Sequence, residues 1–212
     1  MTTTLTPSVN QVLLKNITWQ TYLALLKDVE EQSGIRLTYD SGKLEIMTPL
    51  PPHENYKKVL GRFVETITEE LNIEIKSLGS LTCKREDLAR GLEPDQCYYI
   101  QNEEIVRQID QIDLNQDPPP DLAVEIDITS SSINRLNLYA ALGVPEVWRY
   151  DGSCLTIYRL QGNSYQVCDF SPTFPFVSPT EIIRFLELRK TMGENSMIRS
   201  FREWVRSQST ST

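Results

Sequence analysis

Asp121-Leu122-Ala123-Val124-Glu125-Ile126-Asp127-Ile128 is the stretch that alternates most regularly between large apolar and other side chains. Successive side chains of a β-strand point to opposite faces, so its four large apolar residues would share one face. The carboxylates of Asp121, Glu125 and Asp127 would share the other face with Ala123. A half-exposed edge strand shows the same alternation, so the pattern alone does not decide what the acidic face does.

The residues that flank this strand predict a rigid corner. Three prolines, residues 118–120, precede it. The hydroxyl residues at 129–132 can cap a helix that we predict over residues 133–142, and Gly143 suits the left-handed backbone that often ends a helix. Strand-to-helix corners of α/β proteins commonly carry sites, so the acidic face is the first candidate for one.

Hydrophobic periodicity predicts helices and strands along the rest of the chain. Helical spacing indicates helices over residues 18–32, 53–71, 181–190 and 196–206. Short apolar or alternating runs indicate strands over residues 35–39, 43–47, 73–78, 81–84, 96–100, 146–150, 155–160 and 165–168. These elements predict one α/β (or α+β) domain, residues 1–212, with a central mixed sheet flanked by helices.

The composition of the 212 residues is that of an ordinary globular protein, with 40% hydrophobic and 24% charged residues. No run of about eighteen apolar residues predicts a membrane span, and residues 1–7 lack the basic and apolar parts of a signal peptide. The four cysteines form no CxxC pair, and one histidine is too few for the usual zinc sites. We therefore expect a cytoplasmic protein with free thiols.

Charge is distributed unevenly along the chain, whose formal net charge is -8. Residues 93–127 hold ten acids and one base, a charge of -9, whereas residues 182–212 hold six bases and three acids, a charge of +3. The acidic balance argues against binding nucleic acid through bulk charge. The acidic segment is either a solvated connector or, in part, a site that binds cations.

Spacing limits which acids can act together. Glu125 and Asp127 are two residues apart, so their side chains would project from one face about 6.6 Å apart, close enough to share a hydrated divalent ion. Asp121 lies about 13 Å from Glu125 along the strand, too far for one ion. A partner is better sought on a neighbouring strand, where Asp95, just before the strand predicted over 96–100, is the natural candidate. Pro94-Asp95 is also a common turn dipeptide.

Several motifs resemble those of a known family. Pro94-Asp95, followed thirty positions later by Glu125, is similar to the PD-(D/E)xK arrangement of restriction-endonuclease-like nucleases. More specifically, PPDLAVEI (119–126), LYA (138–140) and LGVPEVW (142–148) resemble the Uma-two family, a large bacterial family grouped with the endonucleases of that superfamily. Matches at 47–49, 53, 151–152 and 157–160 extend the resemblance to most of the chain from about 37 to 160.

The resemblance implies a restriction-endonuclease-like fold and hydrolysis of DNA phosphodiesters with Mg²⁺ or Mn²⁺. It implies that Asp95 and Glu125 are metal ligands, that Glu54 adds an acid at the head of a helix, and that His53 matches the family's histidine. As an isolated histidine, His53 would more often cap or pack a helix. Within the single domain we expect an N-terminal helix and hairpin (18–50), a nuclease-like core (53–160) and a C-terminal helical segment (181–208).

The sequence departs from the superfamily pattern at one basic residue. Asp127 occupies the position where the superfamily usually has a lysine, and Arg135 stands where the Uma-two pattern commonly has a lysine in the next helix. An arginine stays charged at any relevant pH, so Arg135 would stabilise a phosphate but serve poorly as a base. A solvated arginine on the helix surface is the alternative. From its spacing, Asp127 is a candidate third metal ligand.

These residues predict a metal-dependent endonuclease whose binding to DNA is weak and salt-sensitive, acting as a homodimer. The alternative is a nuclease-fold module that has lost catalysis and binds nucleic acid or a protein partner. Against that alternative, crowded unpaired carboxylates repel one another, so an inactive site would have no reason to keep them. A small-molecule hydrolase is disfavoured because the chain has no G-x-S-x-G motif and no cysteine beside its single histidine.

Overall fold

The computed structural model describes residues 11–30, 32, 34–49, 51–79, 81–128 and 131–209. Within these residues lie strands β1 Gln11–Leu14, β2 Arg36–Asp40, β3 Lys43–Met47, β4 Lys76–Leu78, β5 Cys83–Arg85, β6 Arg90–Leu92, β7 Gln96–Tyr99, β8 Leu122–Ile126, β9 Glu146–Tyr150, β10 Leu155–Gln161 and β11 Ser164–Cys168. The helices are α1 Trp19–Val29, α2 Pro51–Glu70, α3 Glu103–Val106, α4 Arg135–Leu142, α5 Pro179–Leu188 and α6 Glu194–Ser209. None of these helices is long and apolar enough to cross a membrane.

The described strands form two sheets. The six-stranded sheet, in the order β11-β10-β9-β8-β7-β4, is mixed because β8 and β9 run parallel while its other neighbours are antiparallel. The five-stranded sheet, in the order β1-β3-β2-β6-β5, is antiparallel throughout. The predicted fold class and central mixed sheet are confirmed. The hairpin β2–β3 lies outside the mixed sheet. Together with β1, β5 and β6 it forms the second, antiparallel sheet.

Strand β8 occupies the centre of the mixed sheet, between β7 and β9, and all five of its residues are buried. Its apolar face, formed by Leu122, Val124 and Ile126, belongs to a core cluster shared with α2, α5 and α6. On the opposite face, Ala123 packs in a second cluster with residues of α4 and of β5–β6. The edge-strand interpretation is therefore wrong, and the acidic residue on the second face lies inside the protein.

The C-terminal helices complete the apolar core against α2. The ring of Phe201 lies 4.4 Å from that of Phe63 and 5.0 Å from that of Phe185, measured between centroids. Beside these rings, Arg202 and Arg206 of α6 both form ion pairs with Glu70 of α2. Part of the positive charge of the C-terminal segment therefore forms ion pairs between α6 and α2.

The hairpin and α1 form a third apolar cluster, in which the rings of Tyr22 and Tyr39 stack at 5.0 Å. A two-residue turn joins the hairpin strands, and its residues Ser41 and Gly42 have φ angles of 49° and 89°. Such left-handed pairs suit the twist of a hairpin. Gly91 of β6 lies directly under Tyr22, since a Cβ at this position would be 2.2 Å from the tyrosine hydroxyl.

Three elements were not predicted, and one helix begins later than predicted. β1, β6 and α3 have only three or four residues each, too few to show periodicity. α4 begins at Arg135 because Asn134 is its cap, accepting a hydrogen bond from the Asn137 N–H. The predicted capping residues Thr129 and Ser130 lie outside the described residues, as do residues 1–7. The predicted helix end at Gly143 is confirmed, and Thr18 caps α1 by accepting a hydrogen bond from the Thr21 N–H.

Candidate active site

Asp95 and Glu125 lie side by side on neighbouring strands. Gln96 of β7 is opposite Val124 of β8 in an antiparallel ladder, so the next pair of positions is Asp95 and Glu125. Their residues are only 3% and 5% exposed, and both line one small cavity of about 20 Å³. The structure therefore brings together the two acids that the sequence singled out.

Asp95 is held in place by three groups. Its Oδ2 accepts a hydrogen bond of 2.8 Å from the N–H of Ile126 and lies 3.1 Å from Nε2 of His53. Its Oδ1 is 3.9 Å from the guanidinium of Arg36, a residue of β2. Burial by itself raises the pKa of the Asp95 carboxyl, but His53 and the two arginines Arg36 and Arg135 outweigh it and lower the pKa below the ordinary value.

His53 connects Asp95 to Glu54. It lies in the first turn of α2, buried, and its Nδ1 is 3.3 Å from Oε1 of Glu54. Burial lowers the pKa of His53, yet the contacts with the two carboxylates outweigh burial and raise it above the usual value. The side chain of Glu54 is 44% exposed and also lies 3.8 Å from Lys57. Glu54 thus contacts the acid pair through His53.

Two side chains of one helix hold Glu125. Its Oε1 accepts a hydrogen bond of 2.8 Å from Arg135 and another from the hydroxyl of Tyr139. Arg135 and Tyr139 are four residues apart, so they lie on one face of α4. Burial and the charge of Asp95 raise the pKa of Glu125 above its usual value, although Arg135 and Tyr139 partly oppose them. Both hydrogen bonds with described residues use Oε1, which leaves Oε2 available to another ligand.

Arg135 is an interior residue of the site, and the surface-arginine interpretation is wrong. Its side chain is 13% exposed. Besides Glu125, it donates hydrogen bonds of 2.7 Å to Oγ1 of Thr38 and 2.6 Å to the carbonyl of Glu93. It therefore ties α4 to β2, to the segment before β7 and to β8. Burial lowers the pKa of Arg135, but Glu125 outweighs it and the guanidinium stays charged.

Asp127 lines the same cavity but pairs with a different arginine, Arg149. Its Oδ2 accepts two hydrogen bonds from Arg149 of β9, one of them 3.0 Å long from Nε. Its Oδ1 is buried and has no hydrogen-bond partner among the described residues. Its backbone N–H donates to the carbonyl of Tyr150 at 2.7 Å, which continues the pairing of β8 with β9 by one residue.

Glu45 was not predicted, although it lines the cavity with Asp95, Glu125 and Asp127. It lies on β3, is 1% exposed, and accepts hydrogen bonds from the hydroxyl of Ser131 at 2.8 Å and the N–H of Ser132 at 2.7 Å. Its only sequence signal is a single acid between apolar residues in a short hairpin strand. Arg36, Tyr139 and Arg149 were also missed, because their importance comes from long-range contacts.

Asp121 lies away from these acids, and its carboxylate stabilises the fold. Its Oδ2 accepts hydrogen bonds from the N–H groups of Ile100 at 2.7 Å and Asn102 at 3.0 Å, and its Oδ1 accepts one from the Asn102 amide at 2.7 Å. The carboxylate therefore caps the turn after β7. The prediction that Asp121 and Glu125 do not share an ion agrees with this geometry.

The donor chemistry of the cavity suits a hard divalent cation. Carboxylate oxygens are the ligands that Mg²⁺ and Mn²⁺ prefer, and the buried Oδ1 of Asp127 has no hydrogen-bond partner within the described part of the chain. No group of three or more His, Cys, Asp or Glu side chains among the described residues is arranged to hold a metal ion. The carboxylates are also not unpaired, since Arg36, Arg135 and Arg149 each contact one. The expectation of unpaired acids is therefore wrong, although the charge of Asp95 still raises the pKa of Glu125.

Two larger clefts flank the small cavity. One, of about 720 Å³, lies between α1, the start of α2 and β5 and includes Arg36 and Glu93 in its lining. The other, of about 390 Å³, is lined by Glu125, Asp127 and Arg135 among others. Arg36 also lines the small cavity, so it stands at the junction between the larger cleft and the acids.

A mixed sheet with paired acids on adjacent strands is the arrangement that the resemblance to restriction-endonuclease-like nucleases implied. Residues 19–190 match the model of the Uma2 family, described as "Putative restriction endonuclease". This match covers most of the chain, and the protein belongs to the Uma2 family.

A similar fold is found in a crystal structure of a "putative nuclease belonging to DUF820" from Anabaena variabilis ATCC 29413, determined at 1.96 Å resolution. The two chains are 19% identical, with a TM-score of 0.53, and the match covers 79% of this chain and 98% of that one. At this identity the likeness concerns the fold alone. No curated protein matches the chain.

Proposed function

We propose that the protein is a divalent-metal-dependent endonuclease that hydrolyses DNA phosphodiester bonds. The observation that carries the proposal is the buried pair Asp95 and Glu125, adjacent in the β7–β8 ladder, with Arg135 bonded to one member. Membership of the Uma2 family supports nuclease activity. The site combines carboxylates that could hold a metal with a permanent positive charge, a combination suited to phosphodiester hydrolysis.

Asp95 and Glu125 would hold Mg²⁺ or Mn²⁺, and Asp127, whose Oδ1 has no hydrogen-bond partner among the described residues, is the proposed third ligand. Because no three acids of the described residues already surround one point, Asp127 would join the other two through a side-chain movement. When bound, the ion supplies activation of water and neutralisation of a phosphate oxygen. Tyr139 and Arg135 fix Glu125 through one oxygen, and this leaves the other oxygen for a ligand. Nε2 of His53 lies 3.1 Å from Oδ2 of Asp95, and Nδ1 of the same ring lies near Glu54.

Arg135 has the role of stabilising the phosphate. Its guanidinium is charged at every relevant pH and lies at the cavity that holds both acids. Negative charge that develops on the phosphate during hydrolysis would be countered by this group, which is already oriented by Thr38 and Glu93. Arg135 therefore serves as an electrostatic group and not as a proton acceptor.

The proposed enzyme acts in the cytoplasm as a homodimer that cuts both strands, and it binds DNA weakly and in a salt-sensitive way. Weak binding agrees with the charges, because the net charge is -8 and the bases Arg202 and Arg206 already pair with Glu70. Light scattering would determine the oligomeric state, and a mass of one chain would contradict the dimer.

One observation favours a second candidate, a module that binds without cutting. Arg36, Arg135 and Arg149 already neutralise the three carboxylates that would hold the metal. In that case the arginine side chains would permanently neutralise the carboxylates in place of a metal ion. The ion pairs would then stabilise the fold and would have no catalytic role. The two candidates differ in whether a divalent ion can displace or supplement these contacts.

Nicking of supercoiled plasmid distinguishes the candidates. We expect the wild-type protein to nick plasmid with Mg²⁺ or Mn²⁺, to stop in EDTA, and to lose activity as Glu125→Gln or Asp95→Asn. Glu104→Ala removes an exposed acid outside the site and serves as the matched control. Circular dichroism would show that each variant is folded. Equal nicking by wild type and by folded Glu125→Gln would contradict the endonuclease.

A further inference from the structure

We infer that Asp127 turns from Arg149 to the metal ion when the metal binds, and that the guanidinium of Arg149, released by this exchange, binds a phosphate of the DNA. The inference rests on the proposed function, because it concerns the metal and the DNA of that same site. It adds a substrate-binding residue on β9 that neither the sequence motifs nor the family match indicates.

A movement of Asp127 is required before it can share an ion with Asp95 and Glu125. No group of three acids among the described residues is arranged to hold an ion. The backbone N–H of Asp127 donates to the carbonyl of Tyr150 at 2.7 Å, so the strand is fixed at this point and the side chain is the part that can turn. Its Oδ2 accepts two hydrogen bonds from Arg149. A turn toward the other two acids would therefore break the contact with Arg149.

Of the three arginines that contact these acids within the described part of the chain, Arg149 can move at the least cost. Its side chain is 41% exposed, whereas those of Arg36 and Arg135 are 9% and 13% exposed. Arg135 also donates hydrogen bonds to two further residues. A part-exposed ion pair contributes little to stability, whereas separating a buried pair is costly. Asp127 would exchange one cation for another, so its own charge would stay compensated.

Arg149 faces the open cleft in front of the acids. It is opposite Glu125 in the parallel pairing of β8 with β9, so the two side chains project from the same face of the sheet. Both line the cleft of about 390 Å³, together with Asp127 and Arg135. The charges of these two acids and two arginines sum to zero, so a bound divalent ion would make the cleft positive. A phosphate would then be attracted to it, and a guanidinium suits phosphate because it donates paired hydrogen bonds.

Binding of Mn²⁺ without DNA, followed by isothermal titration calorimetry, tests the exchange. We expect the dissociation constant to be about fivefold lower in Arg149→Met than in the wild type, because the ion no longer competes with a part-exposed ion pair. In an Asp127→Asn background the same substitution should change the constant by less than about twofold, since screened repulsion is all that remains. Arg159→Met removes an exposed arginine on the other face of the sheet and should leave the constant unchanged.

Fluorescence anisotropy of a labelled hairpin duplex tests the phosphate contact. With saturating Ca²⁺, which also takes carboxylate ligands, Arg149→Met should bind the duplex about fivefold more weakly than the wild type, the effect of one lost hydrogen-bonded contact. In EDTA, where Asp127 keeps Arg149, the two proteins should bind alike. A denaturing gel would show that the duplex stays intact during the measurement.

The inference would be overturned if Arg149→Met tightened Mn²⁺ binding equally in both backgrounds, or if it weakened DNA binding equally in Ca²⁺ and in EDTA. Mn²⁺ binding that is lost in Asp95→Asn but unchanged in Arg149→Met would contradict the exchange and support the metal site of the proposed function. Absence of Mn²⁺ binding in both the wild type and Arg149→Met would contradict the proposed function together with the exchange.

Discussion

Replacement of Arg135 by methionine tests how the interior of the site is held together. Methionine keeps much of the apolar stem but removes the charge and the hydrogen bonds to Thr38, Glu93 and Glu125. Glu125 would remain buried, 5% exposed, with Tyr139 as its donor but without its cation. An uncompensated buried carboxylate is among the most costly defects that a single substitution can produce.

The expected loss of unfolding free energy is about 3–5 kcal/mol at pH 7, the range for breaking a buried ion pair by removing one partner. Burial already raises the pKa of Glu125, and loss of Arg135 would raise it further. The variant can therefore recover stability by protonating Glu125 as the pH falls. We expect a smaller loss at pH 5 than at pH 7. Glu125→Gln in the same chain removes the unpaired charge and should restore part of the stability.

Urea unfolding followed by circular dichroism measures these differences at both pH values. Arg159→Met removes an exposed arginine of β10 and should change stability by less than about 0.5 kcal/mol. The reasoning would be refuted if Arg135→Met also cost less than about 1 kcal/mol, the range expected of a surface ion pair. It would equally be refuted if Arg135→Met/Glu125→Gln were less stable than Arg135→Met alone.

Three further predictions concern single groups. In metal-free protein, the NMR titration of His53, the chain's one histidine, should give a pKa above 6.5. Its stabilisation is then present below pH 6.5 and lost as the pH rises through the folded pKa, a slope absent in His53→Gln. Gly91→Ala should cost about 1–3 kcal/mol because the new Cβ meets Tyr22. Glu146→Ala should cost about 3 kcal/mol, since this buried carboxylate accepts four hydrogen bonds.

Each of these predictions has its own control. A pKa at or below 6.5 for His53 would show that burial outweighs the two neighbouring carboxylates. Gly79→Ala should leave the melting temperature unchanged because a Cβ there meets nothing within 4 Å; an equal effect at Gly91 would contradict the steric argument. For Glu146, full stability of the alanine variant would mean that Ser171 and Thr173 find other partners.

The sequence predicted the centre of the site because that information is local. Alternation in β8 placed Glu125 on the face opposite the apolar core, and strand spacing pointed to Asp95 on the neighbouring strand. The same alternation could not distinguish a central strand from an edge strand. That difference depends on β7 and β9, which pair with β8 from other parts of the chain.

The rest of the site depends on contacts across long sequence distances. Glu45 reaches the cavity because the hairpin packs beside the segment that precedes α4, 86 residues away along the chain. Arg36 contacts Asp95 for the same reason. Charge counts along the chain also could not show which charges pair, because Arg202 lies 132 residues from its partner Glu70. A composition cannot show that such charges neutralise one another in the folded protein.

The anomalous signal of crystals soaked in Mn²⁺ tests the central claim, that Asp95 and Glu125 hold a divalent metal. The account predicts one peak bonded to both carboxylates, with Oδ1 of Asp127 as the third protein ligand and Glu125 still held by Tyr139. The peak should be absent in crystals of Asp95→Asn. Crystals without a peak at these residues, in which Arg36 and Arg135 keep their contacts with the two acids, would contradict the account.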